Sequence, residues 1–141
     1  MTEEERDRVV TEALEWQNTP YHPHGRLKHI GVDCAMLITE VYERTGLIPP
    51  TDPGFYSQQF GQHRDEELFQ QWVEKYGRLV ETPERGDTVL MRYGRTWSHG
   101  GILTSDHTFV HATIRNALVV QDELYGSDFA KRELIFYTIG A

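Results

Sequence analysis

The spacing of apolar residues changes period once, near residue 78, and that change limits the fold more than any other feature of the chain. Before it the spacing is helical. Thr2-x-x-Glu5 reads as a capping box, and Val9, Val10, Ala13 and Leu14 follow on one face, so a first helix is expected to run to about Asn18, where Thr19-Pro20 ends it. Asp33 is a good N-cap for a second helix, with Ala35, Leu37, Ile38, Val41 and Tyr42 as its stripe and Gly46 as its stop. Asp65-Glu66-Glu67 opens a third, with Leu68, Phe69, Trp72, Val73 and Tyr76 on one face and Gly77 at its end. After residue 78 the apolar runs at 88–91, 101–103, 108–111, 117–120 and 133–137 are short, β-rich and separated by turn residues. Helices first and strands afterwards signal α+β, whereas a doubly wound sheet needs the two to alternate. The expectation is one domain over residues 1–141, with N-terminal helices packed on a C-terminal antiparallel β-sheet.

Charge narrows the partners. Fourteen Lys and Arg against 22 Asp and Glu give −8, the wrong sign for a surface that neutralises phosphates, so nucleic acid is not expected as a partner. No apolar run approaches the roughly 18 residues that a membrane span needs. The first residues, Met1-Thr2-Glu3-Glu4-Glu5-Arg6-Asp7, are acidic where a signal peptide is basic. The chain is therefore expected to be made and kept in a cytoplasm unless something other than secretion carries it out.

Cys34 is the single cysteine, so no internal disulfide and no four-cysteine zinc site can form. It follows the cap Asp33, in the first turn of the second helix. Free N–H groups and the positive end of the helix dipole favour a thiolate there, which lowers the expected pKa below the ordinary value of about 8.5. The bland alternative is a small buried hydrophobe. A thiolate nucleophile needs an imidazole to manage its proton. Of seven histidines, His99 and His111 flank an expected hairpin, with His107 at its solvated turn. Their numbers differ by 12, so an even register puts them on one face, as direct partners at about 5 Å or diagonal ones at about 7–8 Å. An odd register separates them, and the sequence leaves the register open. His22, His24 and His29 gather near Cys34, but no spacing among them matches a zinc motif, so neither metal nor cofactor is expected.

Several segments together carry a resemblance: Trp16-x-x-Thr19-Pro20-Tyr21, Gly31-Val32-Asp33-Cys34, Arg85-Gly86-Asp87, Ser98-His99-Gly100-Gly101-Ile102 and Phe109-Val110-His111-Ala112. In order and spacing the chain resembles the NlpC-like cysteine peptidases, papain-like hydrolases of the cell wall, over about residues 10–121. The resemblance implies a papain-like core with Cys34 as nucleophile, His99 as general base and acid, and His111 as the residue that orients His99. It implies that Tyr21 assists the oxyanion site and that Asp33 contacts the substrate's amino end. The implied substrate is a peptidoglycan stem peptide, cut between D-γ-glutamate and a diamino acid. The loop between Tyr21 and Cys34 looks most like that of phage-tail members, which implies a virion tail-tip location and tail-tip or hub proteins as partners. Three departures stand out: Ala35-Met36 replace the usual small pair after the cysteine, and Gly100 stands where a branched residue is common. The Ala35-Met36 departure motivates one rival, an inactive structural tail module; the other rival is an amidase or acyltransferase on the same core.

Overall fold

The structure, a computed structural model, describes residues 1–51, 63–93, 96–126 and 132–140. Residues 52–62, most of the segment 47–64 expected to be irregular and Pro53 with it, lie outside them.

Helix α1 (Glu3–Glu15) opens on the capping box: Thr2 Oγ1 accepts the Glu5 N–H at 3.1 Å and the Glu5 carboxylate accepts the Thr2 N–H at 2.8 Å. These bonds satisfy donors that a helix start leaves open. The helix stops short of Asn18 because the chain there turns to the sheet. Asn18 has a left-handed φ of 70°, its N–H donates to Val119 O, and Thr19 O accepts the Val119 N–H. Helix α2 (Cys34–Arg44) is buried from Cys34 through Tyr42. A helix buried all round needs neighbours on both sides, and α1 and the sheet supply them. Gly46, with φ +78°, ends it in a conformation that L side chains resist. Helix α3 (His63–Tyr76) buries Phe69, Trp72 and Val73.

Gly77, a helix end by sequence, is also the first residue of a strand that the apolar pattern does not announce, β3 (Gly77–Val80). Two residue pairs before α2 form a small ribbon, β1 (Arg26–Leu27) with β2 (Gly31–Val32). The other strands are β4 (Thr88–Tyr93), β5 (Thr96–Leu103), β6 (Thr108–Thr113), β7 (Leu118–Glu123) and β8 (Leu134–Ile139). The main sheet has six strands in the order β3-β8-β4-β5-β6-β7, each pairing antiparallel. The last strand thus lies inside the sheet, between β3 and β4. One sheet face, with Leu90, Ile102, Val110, Ala112 and Val119, joins Leu37, Ile38 and Val41 of α2 in the main core. The other carries Val89, Met91, Leu103 and Phe109, packed with Leu124. Apart from Ala112, each such side chain contributes about 1.5–3 kcal/mol by leaving water. The architecture is α+β, helices against an antiparallel sheet, as the change of period required.

Candidate active site

The segment before Cys34 is strapped down on both sides. Tyr21 N–H donates to Ala117 O at 2.8 Å beside the start of β7, while His22 N–H and Val32 N–H exchange bonds with Val32 O and Pro20 O at 3.0 Å each. The loop beyond is tied to the helices. Lys28 pairs with Glu12 and Glu15 and lies over the Trp16 ring at 5.6 Å, and Arg26 reaches Glu40 at 2.7 Å and Glu43 at 3.0 Å. Asp33 closes this loop. It is wholly buried, its Oδ1 accepts the Met36 N–H at 2.9 Å as a helix cap, and its Oδ2 accepts the His24 N–H at 2.7 Å. In the free chain Asp33 therefore joins loop to helix.

Cys34 follows at the helix start and is 5% exposed. The N–H groups of Ala35, Cys34 itself and Gly100 bear on its sulfur and lower its pKa, but burial outweighs them and, with the neighbouring Asp33 charge, pushes the thiol up to about 12. This corrects the expectation of a depressed pKa. The helix terminus acts in the expected direction, yet desolvation of a charged sulfur is the larger effect. Tyr21 is half-buried beside it. Its phenol pKa is raised by burial first and then by Cys34 and Asp33, which brings all three into one neighbourhood.

The histidines lie just past the end of a strand ladder. The β5–β6 ladder pairs Ile102 with Val110 and Leu103 with Phe109. That register is even, so His99 and His111 share a face as diagonal neighbours. Their rings meet directly, His99 Nε2 to His111 Nδ1 at 2.7 Å. The Gly100 N–H, next along from His99, bears on the Cys34 sulfur instead. The Cys34 sulfur thus meets the backbone of the strand that carries His99, one residue along from it. His111 is 1% exposed, and its second nitrogen, Nε2, lies 2.7 Å from Asp122 Oδ2. Both imidazoles have lowered pKa values: His99 through burial, then the neighbouring His111 and Arg132, and His111 through burial, against the pull of Asp122. At neutral pH both rings are neutral.

Asp122 is the member that sequence reading missed. It pairs with Phe109 across β6 and β7 and so sits diagonal to His111. The turn that sets this register carries its left-handed residue at Ala117, φ 59°, where no glycine or asparagine marks it.

The remaining candidates fall elsewhere. His22, His24 and His29 are exposed, and among the described residues no three His, Cys, Asp or Glu side chains gather to hold a metal. His107 sits at the β5–β6 turn against Asp106 at 2.7 Å. The Arg85-Gly86-Asp87 segment is a fastener: Asp87, 1% exposed, takes Arg6 of α1 at 2.9 Å. The three departures from the family pattern are packing choices. Ala35 and Met36 are buried in the main core, and a Cβ on Gly100 would meet Val89 O at 2.8 Å, Leu90 Cδ2 at 2.9 Å and Ile38 Cδ1 at 3.2 Å.

Comparisons with known proteins speak to the family and the fold. Residues 18–137 match the profile of the NlpC/P60 family. The murein DD-endopeptidase MepS/murein LD-carboxypeptidase of Escherichia coli (strain K12) is 26% identical over 117 residues, 82% of this chain and 53% of that protein. The chain thus spans about half the length of the relative it matches. Among solved structures, an NLP/P60 family protein described as similar to lipoprotein, from Staphylococcus aureus, has a TM-score of 0.71 at 17% identity, covering 100% of this chain and 43% of that one. The NlpC/p60 domain of the peptidoglycan hydrolase SagA has a TM-score of 0.60 at 19% identity, covering 92% and 96%. At those identities the structures speak for the fold. The profile covers most of the chain and the solved structures share its fold: the chain belongs to the NlpC/P60 family.

Proposed function

We propose that this chain hydrolyses an amide bond in peptidoglycan stem peptides, with Cys34 as nucleophile and His99 as general base and acid. The observation that carries the reading is the junction at Gly100, where the Cys34 sulfur and the strand bearing the His99–His111 pair adjoin. Thiol and imidazole rest neutral, so the proton passes to His99 as sulfur attacks the carbonyl. The Asp33 side chain caps the Met36 N–H. The Cys34 and Ala35 N–H groups, which bear on the resting sulfur, are the helix-start donors nearest the attacked carbonyl and serve its oxyanion, with the Tyr21 hydroxyl beside them. His99 next protonates the leaving amine, and water releases the acyl group with His99 again as base.

Two bonds are in view. Family resemblance favours D-γ-glutamate to a diamino acid, while the name of the E. coli relative speaks of DD-endopeptidase and LD-carboxypeptidase activity. Mass analysis of muropeptides, before and after incubation with the chain and with Cys34→Ala, identifies the bond. No change in any muropeptide overturns the reading and favours an inactive module. Turnover of small soluble amides alone favours the amidase alternative.

We further propose that the chain works at a phage tail tip, docked on tail or hub proteins. Its support is the length of the Tyr21–Cys34 loop and the charge of −8, which gives no general attraction to an anionic wall. The protein is expected in purified particles. Its recovery only from a soluble cytosolic pool would remove the tail location and leave the peptidase reading intact.

A further inference from the structure

We propose that Asp122 is a positioning residue that decides, through two hydrogen bonds, which nitrogen of His99 carries the proton. The proposal rests on the reading of His99 as the base for Cys34. Its observations are the 2.7 Å contact from Asp122 Oδ2 to His111 Nε2 and the 2.7 Å contact from His111 Nδ1 to His99 Nε2.

The logic follows from donor and acceptor inventories. An ionised carboxylate only accepts, so the proton between Asp122 and His111 belongs to His111 Nε2. A neutral imidazole carries one proton, so His111 Nδ1 is then a bare lone pair. The hydrogen bond between the rings needs a donor, and His99 Nε2–H must supply it. His99 Nδ1 is left unprotonated, which is the form able to accept a proton from the Cys34 thiol. Burial keeps both rings neutral, so tautomer rather than charge is what Asp122 controls. His111 alone does not fix the outcome. Without a carboxylate behind it, the pair can invert: His111 Nδ1–H donates to His99 Nε2, and His99 holds its proton on Nδ1, where it cannot act as base. Asp122 does not touch the reacting atoms. Its side chain is 41% exposed and touches His111, itself nearly inaccessible, from the rim of the site.

The test reads tautomers directly. In Cys34→Ala protein, where no thiol biases His99, nitrogen-15 NMR at pH 7.5 should show both His99 and His111 as the Nε2–H form. Asp122→Asn keeps the size of the side chain but can donate as well as accept, and it should bring a measurable Nδ1–H population at both rings. Asp122→Glu, which retains the carboxylate, should restore the Nε2–H form. With Cys34 present, Asp122→Asn should lower kcat by roughly 10–100-fold at little change in KM. An unchanged His99 tautomer in Asp122→Asn overturns the proposal, and so does an Nδ1–H form in the parent. The NMR needs no substrate, so its result stands whether or not peptidoglycan is cleaved.

Discussion

The two halves of β5 share one backbone and follow different rules. At Ile102 and Leu103 the strand is zipped to Val110 and Phe109 of β6, and its side chains fill the cores on both sheet faces. From His99 to Gly101 the strand keeps its pairing with β4, and past the ladder to β6 the His99 ring reaches His111 at 2.7 Å. The Gly100 N–H bears instead on the sulfur brought in by α2. A ladder satisfies backbone groups with backbone groups and leaves nothing reactive. Ending the ladder there leaves the Gly100 N–H for the sulfur at a helix start and lets polar side chains bridge the strands. The zipped half belongs to the scaffold, and the other half carries His99, the proposed base.

The comparison breaks most clearly at its reactive end. Cys34→Ala should lower muropeptide release by at least ~10⁴-fold, because no other group forms the acyl intermediate. Its melting temperature should move little, since Cys34 lies at the helix start and the capping Asp33 is untouched. Parallel loss of folding would make the cysteine a scaffold residue. His99→Ala should cost about 10²–10⁴-fold in kcat/KM. Because burial raises the thiol pKa, iodoacetamide alkylation of the intact protein should be slow at pH 7 and still be climbing above pH 9. A plateau below neutrality would instead establish a resting thiolate paired with an imidazolium.

Smaller effects sharpen the boundary. Tyr21→Phe should lower kcat by roughly 10–100-fold if the hydroxyl serves the oxyanion, with KM little changed, and an unaltered kcat would reduce Tyr21 to packing. Gly101 marks where the ladder begins: a Cβ there would meet Val110 O at 2.5 Å and Phe109 Cδ2 at 2.8 Å. Gly101→Ala should destabilise by about 1–3 kcal/mol in urea unfolding, as overpacking against backbone does. Gly126→Ala, whose nearest contact would be 3.4 Å, should do much less. The smallest effect is on acid stability. His99 and His111 have folded pKa values below the unfolded value of about 6.5, so below that pH the unfolded chain binds more protons. Stability present above pH 6.5 should be lost as pH falls, and His99→Gln should flatten part of that loss between pH 7.5 and 5. An identical pH profile in the variant would place the acid sensitivity elsewhere.

Sequence alone determined what depends on near neighbours in the chain. The capping box at Thr2 and Glu5, the Asp33 cap, the Gly46 stop and the change of period at residue 78 act within a few residues, so pattern and propensity read them. The site was legible as far as its residue types were: one cysteine at a helix start, and two histidines an even number apart. Tertiary structure decided what depends on distant pairings. It inserted β8 between β3 and β4, chose the even register that joins His99 to His111, and brought Asp122 behind them through a turn whose left-handed residue is an alanine. It also reversed the expected resting state of Cys34. A helix start favours a thiolate from within the chain's own first turn, but the burial that opposes it involves the strand at Gly100 and the strapped loop, which the chain brings from elsewhere. Desolvation depends on everything that surrounds a group, and no local pattern of residues records that.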